Sequence, residues 1–89
     1  MNKLVKFGAD WCGACRTMDR ILDEIKESIL IIDVDIESVD PIVLSEYKIK
    51  HIPVLQIQDN LGNVLWQHVG TITKEELLNK IKEYETDKA

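Results

Sequence analysis

Cys12 and Cys15 stand two residues apart in "GADWCGACRTMD" (residues 8–19), directly after a glycine and a tryptophan. A pair at this spacing suits half of a metal site, a structural staple, or a redox couple that opens and closes. The chain has 2 cysteines in all. A metal would need two further ligands. The remaining soft donors, His51 and His68, match no zinc-finger spacing with each other or with the cysteines, so no metal and no other cofactor is expected. A staple closing so small a loop would remove little entropy from the unfolded chain. No early stretch reads as a signal peptide, and no apolar run approaches the roughly 20 residues that span a bilayer. A cytoplasmic location is the expectation, and thiols are kept reduced there, which disfavours a structural disulfide. The redox reading fits the pair best.

The elements around the pair give its two sulfurs different settings. "KLVKF" (3–7) is apolar and β-branched enough for a strand, which Gly8 is expected to break. Beyond the cysteines the period changes: Cys15, Met18, Leu22, Ile25 and Ile29 recur every three or four residues. Arg16, Asp19, Arg20, Asp23 and Glu27 fill the opposite side, the mark of an amphipathic helix with a solvated charged face. Cys12 then lies at a helix N-terminus, where unpaired N–H groups and the positive dipole end favour a thiolate. Cys15 shares a face with Met18 and Leu22 and turns inward. One sulfur is exposed and activated and the other is sheltered behind it, as an attacking and a resolving thiol require.

"LIIDVDI" (30–36) reads as a second, largely buried strand. Asp40 before Pro41 reads as a helix start, with an N-cap acceptor and proline at the first helical position, the helix running to about Tyr47. "PVLQIQ" (53–58) and "NVLWQHV" (63–69) read as strands around a "DNLG" hairpin loop. Thr73 and Glu76 form a capping box, with Ile72 and Leu77 placed as a hydrophobic staple. Leu77, Leu78, Ile81 and Tyr84 form that last helix's apolar face. Trp66 is expected to pack, and His68 to be a solvated strand residue. The order is β-α-β-α-β-β-α, an α/β arrangement with helices on both faces of a mixed sheet. Its first two strands should be parallel through a helical crossover, and its last two antiparallel.

At 89 residues and 45% hydrophobic composition the chain suits one small domain over residues 1–89 with a real core. Its formal net charge of −5 argues against nucleic acid or an anionic membrane as partner, and leaves proteins with basic or neutral docking faces.

Three segments carry a family resemblance. "VKFGADWCGACRTMDRIL" resembles the active-site strand, turn and helix of the thioredoxin family. "YKIKHIPVL" resembles that family's segment ending in Ile-Pro, whose proline is cis. "GNVLWQHVGTITKEELLNKI" is similar to its last strand, glycine and C-terminal helix. The resemblance implies a short form of the thioredoxin fold, with a four-stranded mixed sheet and without the usual additional N-terminal strand and helix. It places Trp11, Cys12, Gly13, Ala14 and Cys15 at active-site positions, and Pro53 at the cis-proline, with the backbone of Ile52 free to pair with a substrate strand. The function implied is protein-disulfide reduction, with Cys12 as nucleophile and Cys15 as resolving thiol. Partners would be disulfide-containing proteins and a thioredoxin reductase or other dithiol donor, and the protein would be a monomer.

Departures from the family pattern matter too. Ala14 stands where thioredoxins usually have proline, and Gly8 replaces a common tryptophan. Lys6 stands where the family often has a buried acid. Strand phase sets Asp33 opposite Lys6, which predicts a buried, charge-reversed pair whose members make each other tolerable. His51, two residues before Pro53, is expected near the thiols of this fold, where it would tune Cys12. Two other functions stand beside the first. A glutaredoxin-like, glutathione-dependent reductase is one, although "HVGTITKEEL" lacks the paired glycines and acid which that family uses. A non-catalytic thioredoxin-like binding module is the other, although it has no need of both thiols.

Overall fold

The computed structural model describes residues 1–86. Its elements are β1 (Lys3–Gly8), α1 (Gly13–Ile25), β2 (Leu30–Asp35), α2 (Pro41–Glu46), β3 (Val54–Gln58), β4 (Val64–Val69) and α3 (Lys74–Thr86). Gly8 is the last residue of β1, in register with Asp35, and so extends the strand that it was expected to break.

The four strands form one mixed sheet in the order β2-β1-β3-β4. β1 runs parallel to β2 through the α1 crossover, and antiparallel to β3, while β3 and β4 form the hairpin. Side chains alternate across the sheet and so feed two cores. On one face Leu4, Leu55 and Ile57 meet Met18, Leu22 and Ile25 of α1 and Leu77 and Ile81 of α3, with Trp66 packed against the group. On the other, Val5, Phe7 and Val54 meet Leu44 of α2 and Tyr47 just beyond it. Phe7 and Tyr47 rings approach to 5.6 Å between centroids.

Local chemistry sets the element ends. Asp40 accepts the Ile42 N–H at 3.0 Å ahead of Pro41, capping α2. Lys48 takes a positive φ of 57° after this helix, which lets the Ile49 N–H return to the Leu44 carbonyl at 2.8 Å. In the hairpin loop Asp59 Oδ1 accepts the N–H groups of Leu61 and Asn63, both at 2.9 Å. Thr73 Oγ1 accepts the Glu76 N–H at 3.1 Å, and its hydroxyl donates to the Glu76 carboxylate at 3.0 Å. The cap is therefore made, and the carboxylate accepts a hydrogen bond from the hydroxyl. His68 is less solvated than its strand position suggested, with Nε2 2.8 Å from the Thr71 carbonyl and its ring stacked 6.0 Å from that of Trp66.

The setting of β2 departs from the sequence reading. β2 is an edge strand, and Leu30 and Ile32 are 63% and 39% exposed rather than buried. An apolar run identifies a strand but not how many neighbours cover it. Gln56 and Gln58 on β3 are buried, and they satisfy one another: Gln58 Nε2 donates to Gln56 Oε1 at 2.7 Å, and Gln56 Nε2 to Gln67 Oε1 at 2.8 Å.

Candidate active site

The chain leaves β1 at Gly8 and turns through Ala9–Cys12, where the Cys12 N–H donates to the Ala9 carbonyl at 3.2 Å. Cys12 is the N-cap of α1, in extended conformation (φ −93°, ψ 112°). Its sulfur serves as the capping acceptor, taking the Cys15 N–H at 3.2 Å. A helix start leaves its first N–H groups without intrahelical partners, and a thiolate is a better acceptor for them than a thiol. Cys12 and Cys15 are joined as a disulfide with Cα atoms 5.2 Å apart. The two sulfurs differ in access: Cys12 is half-buried, whereas Cys15 is 1% exposed and packs on the inner face of α1.

Lys6 lies on the sheet face below Cys15 with its side chain 4% exposed. A Cβ built on Gly8 would stand 2.9 Å from Lys6 Cε and 3.1 Å from Cys15 Sγ, so cation stem and resolving sulfur flank the same small space. The absence of a side chain at Gly8 is what admits both. Lys6 Nζ is paired with two carboxylates: Asp19 Oδ1, in direct contact, and Asp33 Oδ1 at 3.2 Å. Their side chains are 51% and 68% exposed. The expected Lys6–Asp33 contact exists, but it is not a buried pair. Asp33 sits on the edge strand, where water reaches it, and the closer partner is Asp19, four residues after Cys15 on α1. The arrangement is a buried cation held by two carboxylates at the surface. Asp19 is the residue that the sequence reading assigned to the solvated face of the helix. Its i+4 spacing from Cys15, on one helix face with it, is the signal that could have found it.

Gly8→Ala is expected to crowd this space. Lys6 Cε is the flexible end of a side chain and can yield, but Cys15 Sγ and Cβ, at 3.1 and 3.3 Å, belong to a packed helix. We expect a loss of about 1–3 kcal/mol in urea unfolding, typical of overpacking. A midpoint unchanged from wild type would show that the space is looser than these contacts imply.

The remaining predicted residues divide. Trp11 is exposed, with its indole N–H donating to Glu37 at 3.1 Å across the turn after β2. Gly13 and Ala14 are exposed in the first turn of α1. The Ile52–Pro53 peptide bond is cis, and Pro53 is buried. Since Phe7 is in register with Val54, Pro53 lies at the end of the sheet from which β1 runs into the cysteine turn. Its carbonyl accepts the Gly70 N–H at 2.8 Å, and Gly70 holds a φ of 95° that side chains rarely adopt. Ile52 is half-buried beside it. His51 is exposed, and its ring makes no hydrogen bond or ion pair among the described residues.

A family model described as Thioredoxin matches residues 1–83. The chain belongs to the thioredoxin family. Thioredoxin from Griffithsia pacifica is 34% identical over 85 residues, covering 91% of this chain and 76% of that protein. Thioredoxin 1 from Synechococcus elongatus is 33% identical over 85 residues, covering 91% and 78%. Among solved structures, a chain from work on thiol resolution in yeast mitochondrial 1-Cys peroxiredoxin via glutathione/thioredoxin systems superposes with a TM-score of 0.78. It is 19% identical, covers 92% of this chain and 77% of that one, and shares the fold. A thioredoxin-family chain with both cysteines in place is a thiol–disulfide oxidoreductase. No helix among the described residues is long and apolar enough to cross a membrane.

Proposed function

We propose that this thioredoxin-family chain reduces protein disulfides through a Cys12/Cys15 dithiol–disulfide cycle in the cytoplasm. The observation that carries the reading is the unequal access of two sulfurs on one helix N-terminus. Cys12 caps α1 from a half-buried position, while Cys15 is 1% exposed behind it.

In the cycle, the Cys12 thiolate attacks one sulfur of a substrate disulfide. A Cys12–substrate bond forms, and the other substrate sulfur leaves as a thiolate. Cys15, having given up its proton, then attacks Cys12 Sγ. The Cys12–Cys15 bond forms and the second substrate sulfur leaves. Two electrons have passed to the substrate, and an external dithiol, in the manner of a thioredoxin reductase, returns them. Trp11, Gly13 and Ala14 form the rim that the substrate meets, and Ile52 and Pro53 the neighbouring edge along which its backbone lies. Lys6 acts on Cys15 from below, held by Asp33 and Asp19. His51 has no step in this cycle.

Insulin reduction tests the proposal. With dithiothreitol, precipitation of the B chain should run well ahead of dithiothreitol alone, and Cys12→Ser should return it to that background. Turnover should be sustained by NADPH with a thioredoxin reductase and not by glutathione. Equal support from glutathione would favour a glutaredoxin-like enzyme, and no acceleration at all a binding module.

A further inference from the structure

In the oxidised pair neither sulfur carries a charge, yet a cation is buried beside one of them. Lys6 and Cys15 are 3% and 1% exposed. They flank the space that a side chain at Gly8 would fill, with Lys6 Cε and Cys15 Sγ at 2.9 and 3.1 Å from a Cβ built there. The carboxylates that balance the ammonium, Asp19 and Asp33, have half or more of their side chains in water. Their charge is therefore screened more than that of Lys6. The other charged groups around the site are exposed: Asp10, Arg16 and Glu37 about the cysteine turn, and His51 ahead of Pro53. Among the described residues Lys6 is the one buried charge.

A fixed charge moves an equilibrium only by treating its two states differently. Reduction breaks the Cys12–Cys15 bond and adds two electrons with one or two protons. When one proton is taken up, a thiolate remains. Lys6 attracts that anion and has no such partner at the sulfurs of the disulfide. The N-terminus of α1 acts in the same sense at Cys12. Burial by itself penalises an anion at Cys15, and the cation offsets that penalty. A couple whose reduced form is stabilised holds its electrons more firmly and is the more oxidising for it.

We infer that Lys6 determines which disulfides this chain can reduce, by raising the potential of the pair above its value without the cation. The substrates it favours are then bridges that are themselves easily reduced, strained or exposed to solvent, rather than stable structural ones. The inference rests on the dithiol–disulfide cycle proposed above. Lys6 touches no substrate and acts only through the sulfurs.

Equilibrium with glutathione tests it, because a shift in the couple multiplies the equilibrium constant with every disulfide alike. The full chain is equilibrated with mixtures of reduced and oxidised glutathione from pH 5 to 9, and the dithiol fraction is counted by alkylation and mass. At each pH the wild-type constant is divided by that of Lys6→Met, which cancels the ionisation of glutathione and of His51. The ratio should favour the wild-type dithiol about tenfold at pH 9, equivalent to about 30 mV. It should fall toward one at pH 5, where both thiols keep their protons in either protein. Asp19→Asn, at a half-exposed helical site, removes an opposing charge. It should shift the constant the other way, toward the dithiol, and most at high pH. This variant decides the matter if Lys6→Met fails to fold. A ratio of one throughout, a ratio that is the same at every pH, or an Asp19→Asn variant that moves toward the disulfide or not at all would each overturn the inference. The reductase would stand in those cases. A pair that interconverts with neither glutathione nor dithiothreitol would overturn the cycle as well.

Discussion

Cys15→Ser should leave this protein covalently attached to its substrates. Cys12 remains at the N-terminus of α1 and can still attack a disulfide, so the first half of the cycle survives. The sulfur that would release the product is gone. A held intramolecular group acts at an effective concentration of up to about 10⁵ M, against which millimolar external thiol is a poor substitute, so release should slow by on the order of 10³-fold or more. Serine is nearly isosteric, and Cys15 is packed among the buried residues of α1, so the fold should persist. Non-reducing mass spectrometry after mixing with oxidised insulin should find a one-to-one adduct on Cys12 that dithiothreitol reverses. Cys12→Ser should form none. Adducts of equal yield on the two single-cysteine variants would reverse or void the assignment of roles.

The second large effect concerns Lys6, and two kinds of substitution should give opposite results. Lys6→Met removes a buried charge and keeps most of the volume, so stability should change little or rise. Its effect should fall on the chemistry. The cation lies out of water against the space shared with Cys15, while Asp19 and Asp33 reach solvent, so its field on the sulfur is the less screened. Without it, resolution of the mixed disulfide should slow about tenfold at neutral pH, or about 1.4 kcal/mol, and recover as pH is raised. That recovery is the readout that a purely structural role would not produce. Removing both acids does the reverse. Asp19→Asn with Asp33→Asn strands a buried ammonium without a partner, and should cost about 3–5 kcal/mol in urea unfolding. Either acid alone should cost much less, since the other remains in reach. An unchanged resolution rate and pH profile in Lys6→Met would make Lys6 a bystander to the thiols. A double variant as stable as wild type would mean that the cation does not depend on these carboxylates.

Both expectations depend on how the two cysteines divide their surroundings. Cys12 sits where backbone N–H groups converge, and Cys15 where a lysine is trapped between helix and sheet. A sulfur at a helix start needs only local geometry to be activated. A sulfur in the core depends on what else is buried with it, and here that companion is a cation. In the proposed cycle the charge behind the disulfide is therefore positive, where the resemblance to the family would often place an acid. The acids that balance this cation come from two elements, α1 and β2.

What the sequence determined by itself was local in origin. The stripe from Cys15 to Ile25 declared α1, and the chemistry of a helix start placed Cys12 at its cap. Asp40–Pro41 and Thr73–Glu76 marked two further helix starts, because capping involves residues only two or three apart. The hairpin around residues 59–62 and the parallel β1–β2 crossover followed from loop length and chain handedness. Tertiary structure decided what depends on residues far apart in the chain. β2 proved to be an open edge, because burial of an apolar strand is set by the neighbours it acquires and not by its own residues. Gln56 and Gln58 could be buried only because they found each other and Gln67 across the ladder. His51, near Pro53 in sequence, had its ring left in solvent by the loop. Asp19 looked like any charge on a solvated helix face until β1 brought Lys6 beneath it, 13 residues away in the chain, where a buried ammonium must find a carboxylate.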